Sequence, residues 1–221
     1  MPPRIDWAEV GASLNRRGYA TIPGLVDPAA CRDLVALYDD EARFRSRVVM
    51  QRHRFGEGEY KYLRYPLPEP VAGLREALYP GLAEIANRWG GNFPATHDAY
   101  LAACHEAGQT RPTPLLLKYG PGDYNCLHQD LYGELVFPLQ LTVLLTDGFT
   151  GGEFLLVEQR PRSQSMGQVV PLAQGEAVIF PVHHRPVAGT RGTYRVTMRH
   201  GVSRVNSGQR FTLGIIFHDA A

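Results

Sequence analysis

The chain has 221 residues, 44% of them hydrophobic, and a formal net charge of +1. That length allows one domain with a sizeable core, and the charge excludes any whole-chain drive toward nucleic acid or a membrane surface. No apolar run reaches membrane-spanning length, and the N-terminus lacks a charged-then-apolar leader pattern.

Residues 1–113 are predicted to form a mainly helical support. Gly18 to Leu25 reads as a short strand, after which Asp27 supplies an N-cap oxygen and Pro28 suits a first helical turn. Cys31, Leu34, Val35 and Tyr38 follow at one-face helical spacing. A second apolar-periodic stretch, Leu74, Leu78, Leu82, Ile85 and Trp89, is expected to break at Pro80-Gly81. A third, Ala99, Tyr100, Ala103 and Cys104, is expected to end at Gly108.

From Pro114 the pattern changes to short β-runs. Predicted strands are 115–119, 135–146, 153–157, 168–172, 177–181, 194–200 and 210–217, separated by Gly-rich turns. Many short strands in one block predict a sandwich, barrel or jelly roll over 114–218. No linker or repeat interrupts the chain, so residues 1–221 are expected to be a single, mainly β domain buttressed by N-terminal helices. Cys31, Cys104 and Cys126 are odd in number and lack zinc-ligand spacing, which predicts free thiols in a reducing cytoplasm.

Three polar residues in the β-block suggest a metal site. His128 and Asp130 are two apart, so on a strand both side chains leave the same face. A second imidazole must come from a later strand. His200 is the first choice, because Arg210 lies ten residues on and Gly201 beside it permits close backbone approach. His183 and His184 are weaker choices, and His218, near the C-terminus, is expected to be solvated. Two imidazoles and a carboxylate on one face of Fe(II) leave positions open for a co-substrate and O₂. Arg210 starts the last apolar strand, where a buried guanidinium needs a carboxylate partner, either a salt bridge or a bound acid. Thr212 faces the same way.

These residues carry a resemblance. Thr142 to Asp147, Gly151-Gly152-Glu153 and Gly175 to Phe180 resemble the core of Fe(II)/2-oxoglutarate dioxygenases of the prolyl 4-hydroxylase type. Leu117-Lys118-Tyr119, Leu127-His128-Gln129-Asp130 and His200-Gly201-Val202 resemble the AlkB-type nucleic-acid oxygenases. The likeness covers about Pro114 to Phe217. It implies a double-stranded β-helix, with iron on His128, Asp130 and His200, and 2-oxoglutarate on Arg210 with help from Thr212 and Tyr119. It also implies hydroxylation, since the carboxylate that related halogenases lack is present as Asp130. Two positions depart from the AlkB pattern: Ile216 replaces a second arginine, and Leu117 replaces an asparagine.

Arg43 to Tyr65 holds seven basic residues against Glu57 and Glu59, interleaved with aromatics. Cations neutralise phosphates and aromatic faces stack bases. The segment is therefore a candidate substrate lid, with Arg52, Arg54, Tyr60 and Tyr62 as candidate contacts. The expected activity is oxidative demethylation of an alkylated nucleobase, with nucleic acid as partner and no obligate protein partner. A prolyl-type protein hydroxylase, a small-molecule hydroxylase and a non-enzymatic jelly-roll module are the alternatives.

Overall fold

A computed structural model describes residues 3–190 and 192–221. In chain order the elements are α1 (Trp7–Arg17), β1 (Ala20–Ile22), α2 (Pro28–Ala36), β2 (Phe44–Val49), β3 (Gly56–Glu57) and β4 (Glu59–Leu63). Next come α3 (Glu69–Arg88), α4 (His97–Glu106), β5 (Leu115–Tyr119), β6 (Tyr124–His128), β7 (Leu139–Leu144), β8 (Thr150–Gly151) and β9 (Phe154–Gln159). The chain ends with β10 (Met166–Val170), β11 (Ala177–Pro181), β12 (His184–Gly189), β13 (Gly192–Val202), β14 (Val205–Ser207) and β15 (Arg210–Ile215).

Two antiparallel sheets face each other. The larger has the order β1-β11-β7-β15-β5-β4-β2, and the smaller β10-β9-β13-β6-β3 with β12 paired to β13. From β5 onward the chain passes back and forth between the sheets, with β5, β7, β11 and β15 in the larger one and β6, β9, β10, β12 and β13 in the smaller, while β8 and β14 pair as a separate short ribbon. This is a jelly-roll winding.

Side-chain alternation explains why the larger sheet is covered on one face and hollow on the other. In β15, Phe211, Leu213 and Ile215 pack with the helices and with Leu139, Leu141 and Val143 of β7. The alternate residues Arg210, Thr212 and Gly214 face inward with Gln140 and Thr142 and line a cavity. One end of the interior is filled by Phe154, Leu156, Val178, Phe180, Val196 and Met198.

Several sequence expectations need correction. α3 is unbroken through Pro80, because that residue is exposed and water can solvate the carbonyl its missing N–H leaves free. α1 was not foreseen; Asp6 caps it, accepting from Ala8 and Glu9. Residues 43–65, the candidate lid, are built largely into the sheets. β2 and β4 form a hairpin that extends the larger sheet beyond β5, and only the turn around residues 50–57 projects toward the smaller sheet, where β3 pairs with β6. His218 is fully buried rather than solvated, with its Nδ1 accepting from the Phe137 amide.

Candidate active site

His128 ends β6, Asp130 follows two residues later, and His200 on β13 lies directly opposite His128 in antiparallel register. A Cβ on Gly201 would lie 2.7 Å from the Asn125 carbonyl, so β6 and β13 approach this closely only with glycine there. One ligand atom from each of the three residues falls within 4.8 Å of the others. His128 Nε2 is 3.5 Å from Asp130 Oδ1, and His200 Nε2 is 3.3 Å from Asp130 Oδ2. Neighbouring donors about 2.1 Å from one ion lie about 3 Å apart, so a small contraction places all three on it.

The tautomer of His128 suits this role. Its Nδ1–H donates to the Cys126 carbonyl at 2.7 Å, which leaves the Nε2 lone pair aimed at Asp130. Burial opposes ionisation of Asp130, but hydrogen bonds and charge from His128 and His200 outweigh it and hold the carboxyl well below the usual range. Burial lowers the His200 pKa, with the neighbouring His128 adding to the effect. A neutral imidazole beside an ionised carboxylate is the form in which both bind a cation.

Two neighbours escaped the sequence reading. Tyr132 O–H donates to Asp130 Oδ1 at 2.7 Å, and Gln140 Nε2 donates to Asp130 Oδ2 at 2.8 Å. Gln140 also lies 3.3 Å from His200 Nε2. The available signal was a glutamine at an inward position of the apolar strand β7, two residues before the likewise inward Thr142. Tyr132 is held in turn through its loop. The buried Gln109 amide takes the Leu135 N–H on its oxygen and donates to the Leu135 and Asp219 carbonyls.

The three residues open into a cavity of about 190 Å³ that also reaches Tyr119, Arg210 and Thr212. Arg210 is 2% exposed, and its Nε and Nη1 have no hydrogen-bond partner among the described residues. Burial lowers its pKa to about 10, with Tyr119 and Glu153 only partly offsetting. The alternative of a structural salt bridge is therefore not realised. The guanidinium carbon lies 5.5 Å from the Tyr119 ring centre, and Tyr119 Oη accepts from Asn125 at 3.3 Å. An orphaned, buried guanidinium that shares a cavity with a His-Asp-His cluster fits a ligand with a carboxylate at one end and metal-binding oxygens at the other.

The candidate substrate residues divide. Tyr60 lines the cavity together with Phe55 and Tyr132. Tyr62 does not; it is buried behind them, edge-on to both Tyr60 and Tyr132, with Arg45 over its ring. Arg52 and Arg54 are exposed on the 50–55 turn, outside the cavity. Much of the basic segment is already neutralised. Arg47 pairs with Glu59, Lys61 with Glu41 and Arg43 with Asp40. His183 and His184 stack on each other away from the metal cluster.

Comparison with known proteins adds to this geometry. The family model Oxygenase-NA, described as an oxygenase catalysing oxidative methylation of damaged DNA, matches residues 58–220. Two uncharacterized proteins from two strains of Mycobacterium tuberculosis, MT2286 and Rv2227, are each 52% identical to the chain over 165 residues, covering 71% of it and 71% of their own length. The structure is similar to a Pseudomonas putida prolyl-4-hydroxylase, with a TM-score of 0.58 and 14% identity over 95% of this chain and 96% of that one. It is also similar to an oxidoreductase of the 2OG-Fe(II) oxygenase family from Burkholderia pseudomallei, with a TM-score of 0.54 and 16% identity over 100% of this chain and 95% of that one. At such identities the two structures speak for the double-stranded β-helix fold.

Proposed function

The chain belongs to the oxygenase family whose model it matches over residues 58–220, and from that premise we propose that it is an Fe(II)- and 2-oxoglutarate-dependent dioxygenase that demethylates an alkylated nucleobase. His128, Asp130 and His200 would hold the iron, and Arg210, with Thr212 and Tyr119, would hold the distal carboxylate of 2-oxoglutarate. Iron with 2-oxoglutarate and O₂ supplies the oxidising chemistry, with succinate and carbon dioxide as co-products. The observation that carries the reading is the shared cavity: one wall is a cluster of two imidazoles and a carboxylate, and the other is a buried guanidinium whose Nε and Nη1 have no hydrogen-bond partner among the described residues.

The chain's own residues perform the remaining work. Tyr132 and Gln140 fix the Asp130 carboxylate so that its lone pairs face His128 and His200. Leu115, Leu117 and Ile216 line the same cavity and make its wall apolar, which restricts water beside the reacting C–H bond. Phe55 and Tyr60 offer ring faces at the cavity for a flat base. Arg52 and Arg54 on the neighbouring turn would meet the phosphates, and a base reaching the cavity must leave its stack. Tyr62 acts from behind, by supporting Tyr60 and Tyr132. All three cysteines are free thiols, in keeping with a cytoplasmic protein.

The test is succinate release with Fe(II), measured across methylated single-stranded oligonucleotides, proline-containing peptides and small metabolites. Methylated oligonucleotides are expected to raise succinate release and yield formaldehyde in equal amount. Neutralising Arg52 and Arg54 with glutamine should raise KM for the oligonucleotide and flatten its salt dependence. Coupled turnover with a peptide or metabolite, and none with any oligonucleotide, would overturn the assignment.

A further inference from the structure

We propose that a groove beside the iron cavity is a second nucleotide subsite, taking the phosphate-bearing neighbour of the nucleotide that enters the cavity. The groove lies between the C-terminal end of α3 and the turn joining β11 to β12. It rests on the nucleic-acid reading above and names where the strand runs.

Its volume is about 370 Å³, larger than the iron cavity. Trp89, Phe93 and Leu131 give it apolar and aromatic walls, and His183, His184 and Arg195 give it nitrogen donors. No carboxylate lines it among the described residues. A second guanidinium at its border, Arg185, is already committed to the buried Glu158. Arg195 is exposed and has no ion pair among the described residues. The groove therefore offers an unspent cation beside aromatic surface, the pairing that suits a phosphate joined to a base.

The two imidazoles strengthen the case. Their rings stack 3.5 Å apart at 29°, and burial first and the adjacent His184 second lower the His183 pKa. His184 Nδ1 has the Val196 carbonyl and Thr197 hydroxyl at 3.4 and 3.5 Å. No side-chain hydrogen bond engages the His183 ring among the described residues. A phosphate set against the pair would supply the negative charge that the groove lacks. The Trp89 indole N–H donates to Asn15 at 2.9 Å, which anchors that wall.

Position ties the groove to the iron site. Leu131 lines the groove, whereas Asp130, the residue before it, lines the iron cavity. Gln129 also lines the iron cavity, and its amide donates to the Met198 carbonyl at 2.8 Å and lies 3.5 Å from that of His183. The stretch Gln129 to Leu131 thus forms part of the wall between the two hollows, with Pro138 on the groove side and Gln140 on the cavity side of a second stretch. A strand presenting one base to the iron has its next sugar-phosphate at this rim.

Trp89 provides the readout, because the only other tryptophan, Trp7, packs against Gly81 on α3. In a Trp7→Phe background, adenosine 5′-monophosphate is expected to quench Trp89 fluorescence, with adenosine at least ten-fold weaker. Arg195→Gln and His183→Gln should each weaken the monophosphate at least five-fold. If Trp7→Phe does not fold, the imidazole proton shifts of His183 and His184 in the natural chain report the same titration. No response at millimolar monophosphate, equal affinity in Arg195→Gln, or tighter binding of an unphosphorylated peptide would overturn the subsite. Failure of the substrate reading looks different, since it appears as absent succinate release on methylated oligonucleotides whatever the monophosphate does. An oligonucleotide that is turned over with unchanged KM in Arg195→Gln overturns the groove alone.

Discussion

Replacing Arg210 with methionine should make the ligand-free protein more stable and insensitive to 2-oxoglutarate. Burial lowers the guanidinium pKa from 12.5 to about 10. The folded value lies below the unfolded one, so the charged form is penalised throughout the neutral range. At 1.36 kcal/mol per pKa unit the penalty is about 3 kcal/mol. Loss of the contact with the Tyr119 ring gives back about 1 kcal/mol, which leaves a net gain of about 2 kcal/mol. For a chain of this size each kcal/mol moves Tm by about 2–4 °C, so a rise of about 4–8 °C is expected. In the natural protein, 2-oxoglutarate at one hundred times its Kd adds about 2.7 kcal/mol. The variant should lose that increment yet keep the shift caused by metal alone. Differential scanning fluorimetry with Mn(II) in place of iron, with and without 2-oxoglutarate, measures both. A variant that melts below the natural protein without ligand, or that keeps the full 2-oxoglutarate shift, would refute the claim that Arg210 is an unpaired cation awaiting a carboxylate.

Tyr132→Phe and Gln140→Leu should each weaken divalent-metal binding about ten-fold, because Asp130 loses a hydrogen bond that orients it; calorimetric titration with Mn(II) checks this, and an unchanged Kd would argue against it. His97 and His218 are buried with pKa values lowered to about 4, by desolvation first and the charge of Arg75 second. Their folded values lie below the unfolded 6.5, so stability is complete above about pH 6.5 and is lost as pH falls toward 4. The loss is about 2 kcal/mol per histidine by pH 5, and urea titrations at pH 7 and pH 5 should show it shrinking in His97→Gln. Asp219→Ala should cost about 3–5 kcal/mol by stranding Arg75, which is 1% exposed and 2.8 Å from that carboxylate; a midpoint within 0.5 kcal/mol of the natural protein would show that Tyr65 and Thr113 suffice to hold the guanidinium.

Much of the core was legible because its strands are marked by turns on both sides. β5 and β11 have the predicted boundaries, and β15 begins at the predicted Arg210. Its alternation of Arg210, Thr212 and Gly214 with Phe211, Leu213 and Ile215 separates a cavity face from a helix-packed face. The reading nevertheless missed β6 and β12. β6 is half-exposed and has no clean apolar period, while β12 carries Pro186 on a strand that pairs on one side only. The pairing of residues 44–63 with β5 was hidden for another reason. Charge and aromatic content describe a surface, but strand pairing depends on a partner more than fifty residues away in sequence. Gln140 and Tyr132 were invisible as site residues because their role appears only once Asp130 lies between them.

The position of β2 at the outer end of the larger sheet has a consequence for association between copies of the chain. A rim strand with free amide and carbonyl groups invites pairing with another such rim, and chains resist this by placing fixed charge along it. β2 carries Arg45 and Arg47, and Arg43 stands immediately before it. Arg43 and Arg47 are paired with Asp40 and Glu59, so Arg45 is the arginine of this rim without an acidic partner among the described residues, and its charge disfavours joining edge to edge.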